Sequence, residues 1–145
     1  MGIKSFLSEY PFIQTAMSFS SWIEMIEVVA EPLIAGGFIT IGYSQEMIRN
    51  TQKYGAYYII GEGVAIPHAR PECGVIKNCF SLATLKEPIS IIGSEPVDII
   101  VMFGGVDSNS HITEGIASIL ALLDDEDSLI KLRAATSVNE VLRLL

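Results

Sequence analysis

The sequence predicts an α/β protein in which a mixed β-sheet lies between helical layers. Three observations lead there. Short apolar segments rich in β-formers, Tyr57–Ile60, Cys79–Leu85 and Val97–Phe103, are grouped in the middle of the chain. Amphipathic stretches with helix-start signals lie before and after that group, an order that sets helices against a central sheet. Half of the 145 residues are apolar and only 18% are charged, which supports one folded domain over 1–145 with a real core and argues against disorder.

After a short N-terminal turn, Phe12–Ala16 reads as an edge strand. Ser21-x-x-Glu24 is a capping box, and Trp22, Ile26, Val29 and Leu33 recur at helical spacing behind it. Pro32 falls inside that run, so a kink or local break is expected there, because proline has no N–H and its ring crowds the preceding turn. A second helix runs from about Gly42 through Lys53, with Gly55 as its stop. The three central segments are apolar on both sides of the alternation, as strands buried on both faces are, and Gly104-Gly105 ends the last. Ile112, Ile116, Ile119, Leu120 and Leu123 then trace one helix face, with Ser108 and Ser110 as its caps. Asp124-Asp125-Glu126-Asp127 interrupts that helix and caps another through Leu132, and Ser137-x-x-Glu140 opens the last.

The chemistry concentrates in Gly63-Val64-Ala65-Ile66-Pro67-His68-Ala69-Arg70-Pro71. Pro67 fixes its own φ and pushes Ile66 toward an extended conformation, so the run reads as a strand end, and Pro71 does the same to Arg70. A stiff turn results, with an imidazole at its tip and a guanidinium two residues on. A rigid nucleophile beside a cation suits transfer of an anionic group such as phosphoryl. A histidine in a proline turn is a weak signal alone, and its bland reading is a surface loop. The other of the chain's two histidines, His111, strengthens it, since Asp107–Ile116 reads as a helix start, where unpaired N–H groups favour anions. Arg70 suits bidentate phosphate contacts and equally a surface ion pair with Glu62 or Glu72.

Charge and composition exclude other classes. A net charge of −8 and a pI near 4.6 argue against nucleic acid and against an anionic membrane surface. Cys73 and Cys79 are too few for a zinc site, so no metal is expected. The 124–127 acidic run lacks the glycine and alternation of a calcium loop and reads as a solvated helix junction. No leader pattern opens the chain, and Glu31-Pro32 and Glu95-Pro96 break its most apolar stretches, so no membrane insertion and a reducing cytoplasm are expected. No Walker A, G-x-G-x-x-G or G-x-S-x-G motif is present.

The G-x-A-x-P-H segment at 63–68 resembles the phosphorylation-site motif of the enzyme IIA components of the bacterial phosphoenolpyruvate-dependent sugar phosphotransferase system, in the mannitol/fructose superfamily. Tyr57-Tyr58, His68 through Val75, Thr84-Leu85-Lys86-Glu87-Pro88, Pro96-Val97-Asp98-Ile99, Asp107–His111 and Val138–Leu142 are most similar to the ascorbate-specific type. The resemblance implies a three-layer α/β/α sandwich and a phosphocarrier without cofactor. On that reading His68 accepts a phosphoryl group from the phosphocarrier HPr and hands it to a cysteine of a cognate IIB component. A membrane IIC component binds the carbohydrate, so that ascorbate or a related substrate never touches this chain. The resemblance also makes His111 the group that hydrogen-bonds the phosphoryl, and sets Arg49 in the region of a functional arginine of the mannitol branch, with a longer spacing to His68. A regulatory module, whose phosphorylation state is read by a partner, is the alternative that related nitrogen-type proteins imply. A carrier that meets two proteins in turn is expected to hold its histidine in a shallow depression with an apolar rim.

Overall fold

The computed structural model describes residues 2–145. Its core is a five-stranded mixed sheet in the order β1 (Ile13–Met17), β4 (Cys79–Ile89), β5 (Val97–Gly104), β3 (Val64–Ala65), β2 (Ile59–Gly61). The β1–β4 and β3–β5 pairs are parallel, and the β4–β5 and β2–β3 pairs antiparallel. Six α-helices surround the sheet: α1 (Ile3–Glu9), α2 (Trp22–Ala35), α3 (Ile41–Tyr54), α4 (Ala117–Leu122), α5 (Glu126–Ala134) and α6 (Val138–Leu144). Seven consecutive residues of β4, Cys79 to Leu85, are buried, as is nearly all of β5. Successive side chains point to opposite faces, so both faces of these central strands are covered by helices, the α/β/α arrangement expected.

The serine half of each capping box forms, Ser21 Oγ accepting the N–H of Glu24 and Ser137 Oγ that of Glu140, each at 3.1 Å. The two glutamates reach one residue further back, to the N–H of Ser20 and of Thr136. The N-terminal turn is instead helix α1, whose Ile3, Phe6 and Leu7 recur at helical spacing and are buried. Pro32 does not break α2. The carbonyl its missing N–H would have engaged, that of Val28, accepts a hydrogen bond from Gln14 Nε2 on β1 at 3.3 Å. A tertiary partner thus satisfies the group that proline orphans, and the helix runs on to Ala35. Tyr57 and Tyr58 lie in a turn before β2 rather than in a strand.

The β2–β3 hairpin aims the histidine loop. Glu62 and Gly63 form its two-residue turn, with φ of +54° and +78°. Arg133 of α5 holds it from outside: Nε donates to both carboxylate oxygens of Asp98, at 3.0 and 2.8 Å, and Nη2 donates to the Glu62 carbonyl. A Cβ at Gly63 would stand 2.7 Å from the Arg133 guanidinium, so only glycine fits beneath this clasp.

Candidate functional site

Two segments from opposite sides of β5 converge on one depression. The first is the loop after β3. Its path is fixed by the Phe103 N–H donating to the Pro67 carbonyl at 3.3 Å, and by Tyr43 of α3. The buried Tyr43 hydroxyl donates to the Phe103 carbonyl at 2.9 Å and accepts the Ala69 N–H at 3.0 Å, so one side chain ties the loop to the strand. Burial keeps this phenol protonated well above its ordinary range.

His68 is half-buried between these anchors. Its Nδ1 lies 2.7 Å from the Ile66 carbonyl. A carbonyl only accepts, so Nδ1 carries the proton and Nε2 keeps its lone pair. Burial holds the pKa below the ordinary 6.5; the bond to Ile66 opposes this and the neighbouring His111 reinforces it. The ring is therefore neutral at pH 7. Tyr57 stands edge-on to it at 5.6 Å between centroids and donates its hydroxyl proton to the His68 carbonyl. Burial pushes the Tyr57 phenol up to about 12, so it remains a donor.

The second segment carries His111. Asp107 caps it: the carboxylate accepts the Ser110 N–H at 2.7 Å and its carbonyl the His111 N–H at 2.9 Å. Asp107, rather than Ser108 or Ser110, is thus the cap, and these bonds hold its carboxyl below the usual range. The capped N–H groups are spent on the chain itself, which narrows what this helix start offers an anion. Ser110–Ile116 is wound wider than an α-helix before α4 begins; the Ala117 N–H reaches the Ile112 carbonyl five residues back. The His111 ring stands 5.0 Å from that of His68 at 70°. Its Nδ1 is buried without a hydrogen-bond partner among the described residues, so Nε2 is the nitrogen that serves the depression. Burial lowers this imidazole's pKa as well.

Around the pair opens a cavity of about 480 Å³, lined also by Asn50, Tyr54, Tyr57, Arg70, Ser108 and Ile112. Tyr54 and Ile112 are 67% and 61% exposed, so the depression is open to solvent and edged in part by apolar surface. Arg70 lines the cavity and has no ion-pair partner among the described residues, Glu62 and Glu72 included. Arg49 is not brought to the site: it pairs with Glu46 one helical turn back, and its side chain is 68% exposed. Asn50, its neighbour, lines the cavity instead. Sequence reading missed Tyr43, whose helical spacing marks it only as core, and Tyr57, whose place just before the histidine hairpin was the available signal. No group of three or more metal-ligating side chains occurs among the described residues, and none of their helices is long and apolar enough to cross a membrane. Burial pushes the Cys79 thiol up to about 12, which leaves it inert.

A family model described as the phosphoenolpyruvate-dependent sugar phosphotransferase system, EIIA 2, matches residues 7–145. The chain belongs to this family. As an EIIA protein, it is a sugar-specific component of a phosphotransferase system. It is 35% identical over its whole length to the ascorbate-specific PTS system EIIA component of Escherichia coli K12, spanning 96% of that protein. A crystal structure of a putative PTS IIA (PtxA) from Streptococcus mutans superimposes with a TM-score of 0.93 at 32% identity, over 99% of this EIIA chain and 92% of that one. A complex of mannitol IIA with phosphorylated mannitol IIB from E. coli matches with a TM-score of 0.79 at 26% identity, over 99% and 95%.

Proposed function

We propose that this EIIA chain, as one domain over 1–145, is a cytoplasmic phosphocarrier in which Nε2 of His68 is the acceptor. The observation that carries the reading is the Nδ1–H bond to the Ile66 carbonyl, which leaves Nε2 a neutral nucleophile at the cavity. Nε2 attacks the phosphorus of phosphorylated HPr. The new N–P bond forms as the donor's N–P bond breaks, and the electron pair returns to the donor's imidazole. The Nδ1 proton stays in place, and the Ile66 carbonyl dipole stabilises the positive charge the ring acquires. His111 Nε2–H donates to a phosphoryl oxygen, and the Arg70 guanidinium, which lines the cavity, neutralises another. A thiolate of a cognate IIB protein then attacks the phosphorus, forming S–P as N–P breaks. The named relatives support ascorbate or a similar compound as the carbohydrate, taken up by a membrane IIC component that this chain serves indirectly.

Incubation with phosphoenolpyruvate, the system's first enzyme and HPr tests this. The chain takes up one acid-labile phosphoryl group, and His68→Ala takes up none. Undiminished labelling of His68→Ala refutes the assignment.

A further inference from the structure

Phe103 lies on β5 with no exposed surface, and its ring touches both histidines: centroids are 4.9 Å from His68 and 5.0 Å from His111. It thus contacts both segments of the site. Its backbone repeats the pattern, since its N–H holds Pro67 and its carbonyl holds Tyr43, which in turn holds Ala69. The opposite segment is shaped around the same ring. Gly115 is buried against it, and a Cβ there would come within 2.7 Å of two ring carbons. A Cβ at Gly105 would meet the His111 backbone nitrogen at 2.5 Å. Ser110–Ile116 widens where it crosses this region.

We infer that Phe103 is a positioning residue for phosphoryl transfer: its buried ring fixes the spacing of the two imidazoles, and Gly105, Gly115 and the widened turn make room for it. The inference rests on the phosphocarrier reading. The three ring centroids form a nearly equilateral triangle, so the buried Phe103 ring is a floor on which both imidazoles rest, and it also excludes water from their undersides. Tyr43 and Tyr54 from α3, Tyr57 and Arg70 from the loop side, and Asp107 and Glu114 from the helical side, are other titratable groups around the pair. None of them is a cause of either imidazole's lowered pKa; burial is the main cause for both.

The test uses the full chain carrying Phe103→Leu, with Phe103→Met as a variant of conserved volume where leucine does not fold. Phe80→Leu is the control: Phe80 is also buried and stacks on Phe103 at 6.5 Å. It contacts neither imidazole. Histidine ring resonances are followed by NMR across pH 4.5–8, and phosphoryl uptake from HPr is timed. Removing this aromatic floor raises both imidazole midpoints by roughly half a pH unit as water enters. It also slows uptake about tenfold, as displaced catalytic groups do. Phe80→Leu lowers stability alone. Wild-type midpoints in the Phe103 variants, with only a loss of stability like that of the control, overturn the inference. The NMR readout needs no phosphoryl donor, so it decides on Phe103 even if the phosphocarrier reading fails.

Discussion

His68 Nδ1 lies 2.7 Å from the carbonyl of Ile66, with only Pro67 between the two residues. Proline fixes φ in the link, so the histidine's own backbone serves as its tautomer lock. Many sites recruit a separate carboxylate for that purpose. A carbonyl is uncharged, so it orients the ring without raising its pKa to the degree a carboxylate would. Burial therefore dominates, and the imidazole stays neutral.

The first prediction is a pH profile. Phosphoryl acceptance requires neutral His68, whose pKa lies below 6.5. The rate rises with pH through that lowered value and is flat across neutrality. Timed uptake from pH 5 to 8 checks it, and a midpoint above 6.5 contradicts the burial argument.

Stability follows the same linkage. Both imidazoles have lowered folded pKa values, so below about 6.5 the unfolded chain binds more protons than the folded one. Their contribution is fully present above that pH and is lost as pH falls through the folded values. Urea midpoints at pH 7.5 exceed those at pH 5.5; equal midpoints contradict the shifts.

His111→Ala is expected to fold and still accept phosphate, but to pass it to IIB on the order of a hundredfold more slowly. Quenched-flow transfer measures this. Wild-type kinetics demote His111 to a bystander.

Tyr43→Phe removes one hydroxyl and leaves the Ala69 N–H and the Phe103 carbonyl without it. A buried donor left unpaired costs about 1–3 kcal/mol. Denaturant titration reads the loss, and phosphoryl uptake falls with it because the loop loosens. A stability change within about 0.3 kcal/mol would mean that water replaces the hydroxyl.

The two arginines separate cleanly. Arg70→Ala is expected to slow uptake at least tenfold, with Arg70→Lys restoring only part, since an ammonium is a poor substitute for a planar fork. Arg49→Ala breaks only an exposed pair with Glu46 and leaves uptake within twofold. The reverse order of effects would move the functional arginine back to α3.

Much of the fold was legible because its signals are local. The capping boxes at Ser21 and Ser137 and the doubly apolar strands need no tertiary information to be read. Pro32 misled, because the Gln14 amide that satisfies Val28 comes from another element. Helix α1 carried its signal in Ile3, Phe6 and Leu7, yet its brevity hid it. In the site, the histidines stood out through their scarcity and setting. Tyr43, Phe103 and Gly115 did not, because core residues and site-shaping residues look alike until the ring contacts are known. The Asp107 cap was hidden by two serines that fit the same role.

The sheet topology has a consequence on the ribosome. Helices α1 and α2 and strand β1 all pack on β4, which is made only after the histidine loop. β3 likewise waits for β5. Apart from the short β2–β3 hairpin, no part of the sheet can close while the first half of the chain is emerging, so its apolar faces are held open until β4 and β5 are made. Chains stalled before Cys79 are expected to be chaperone clients rather than folded fragments.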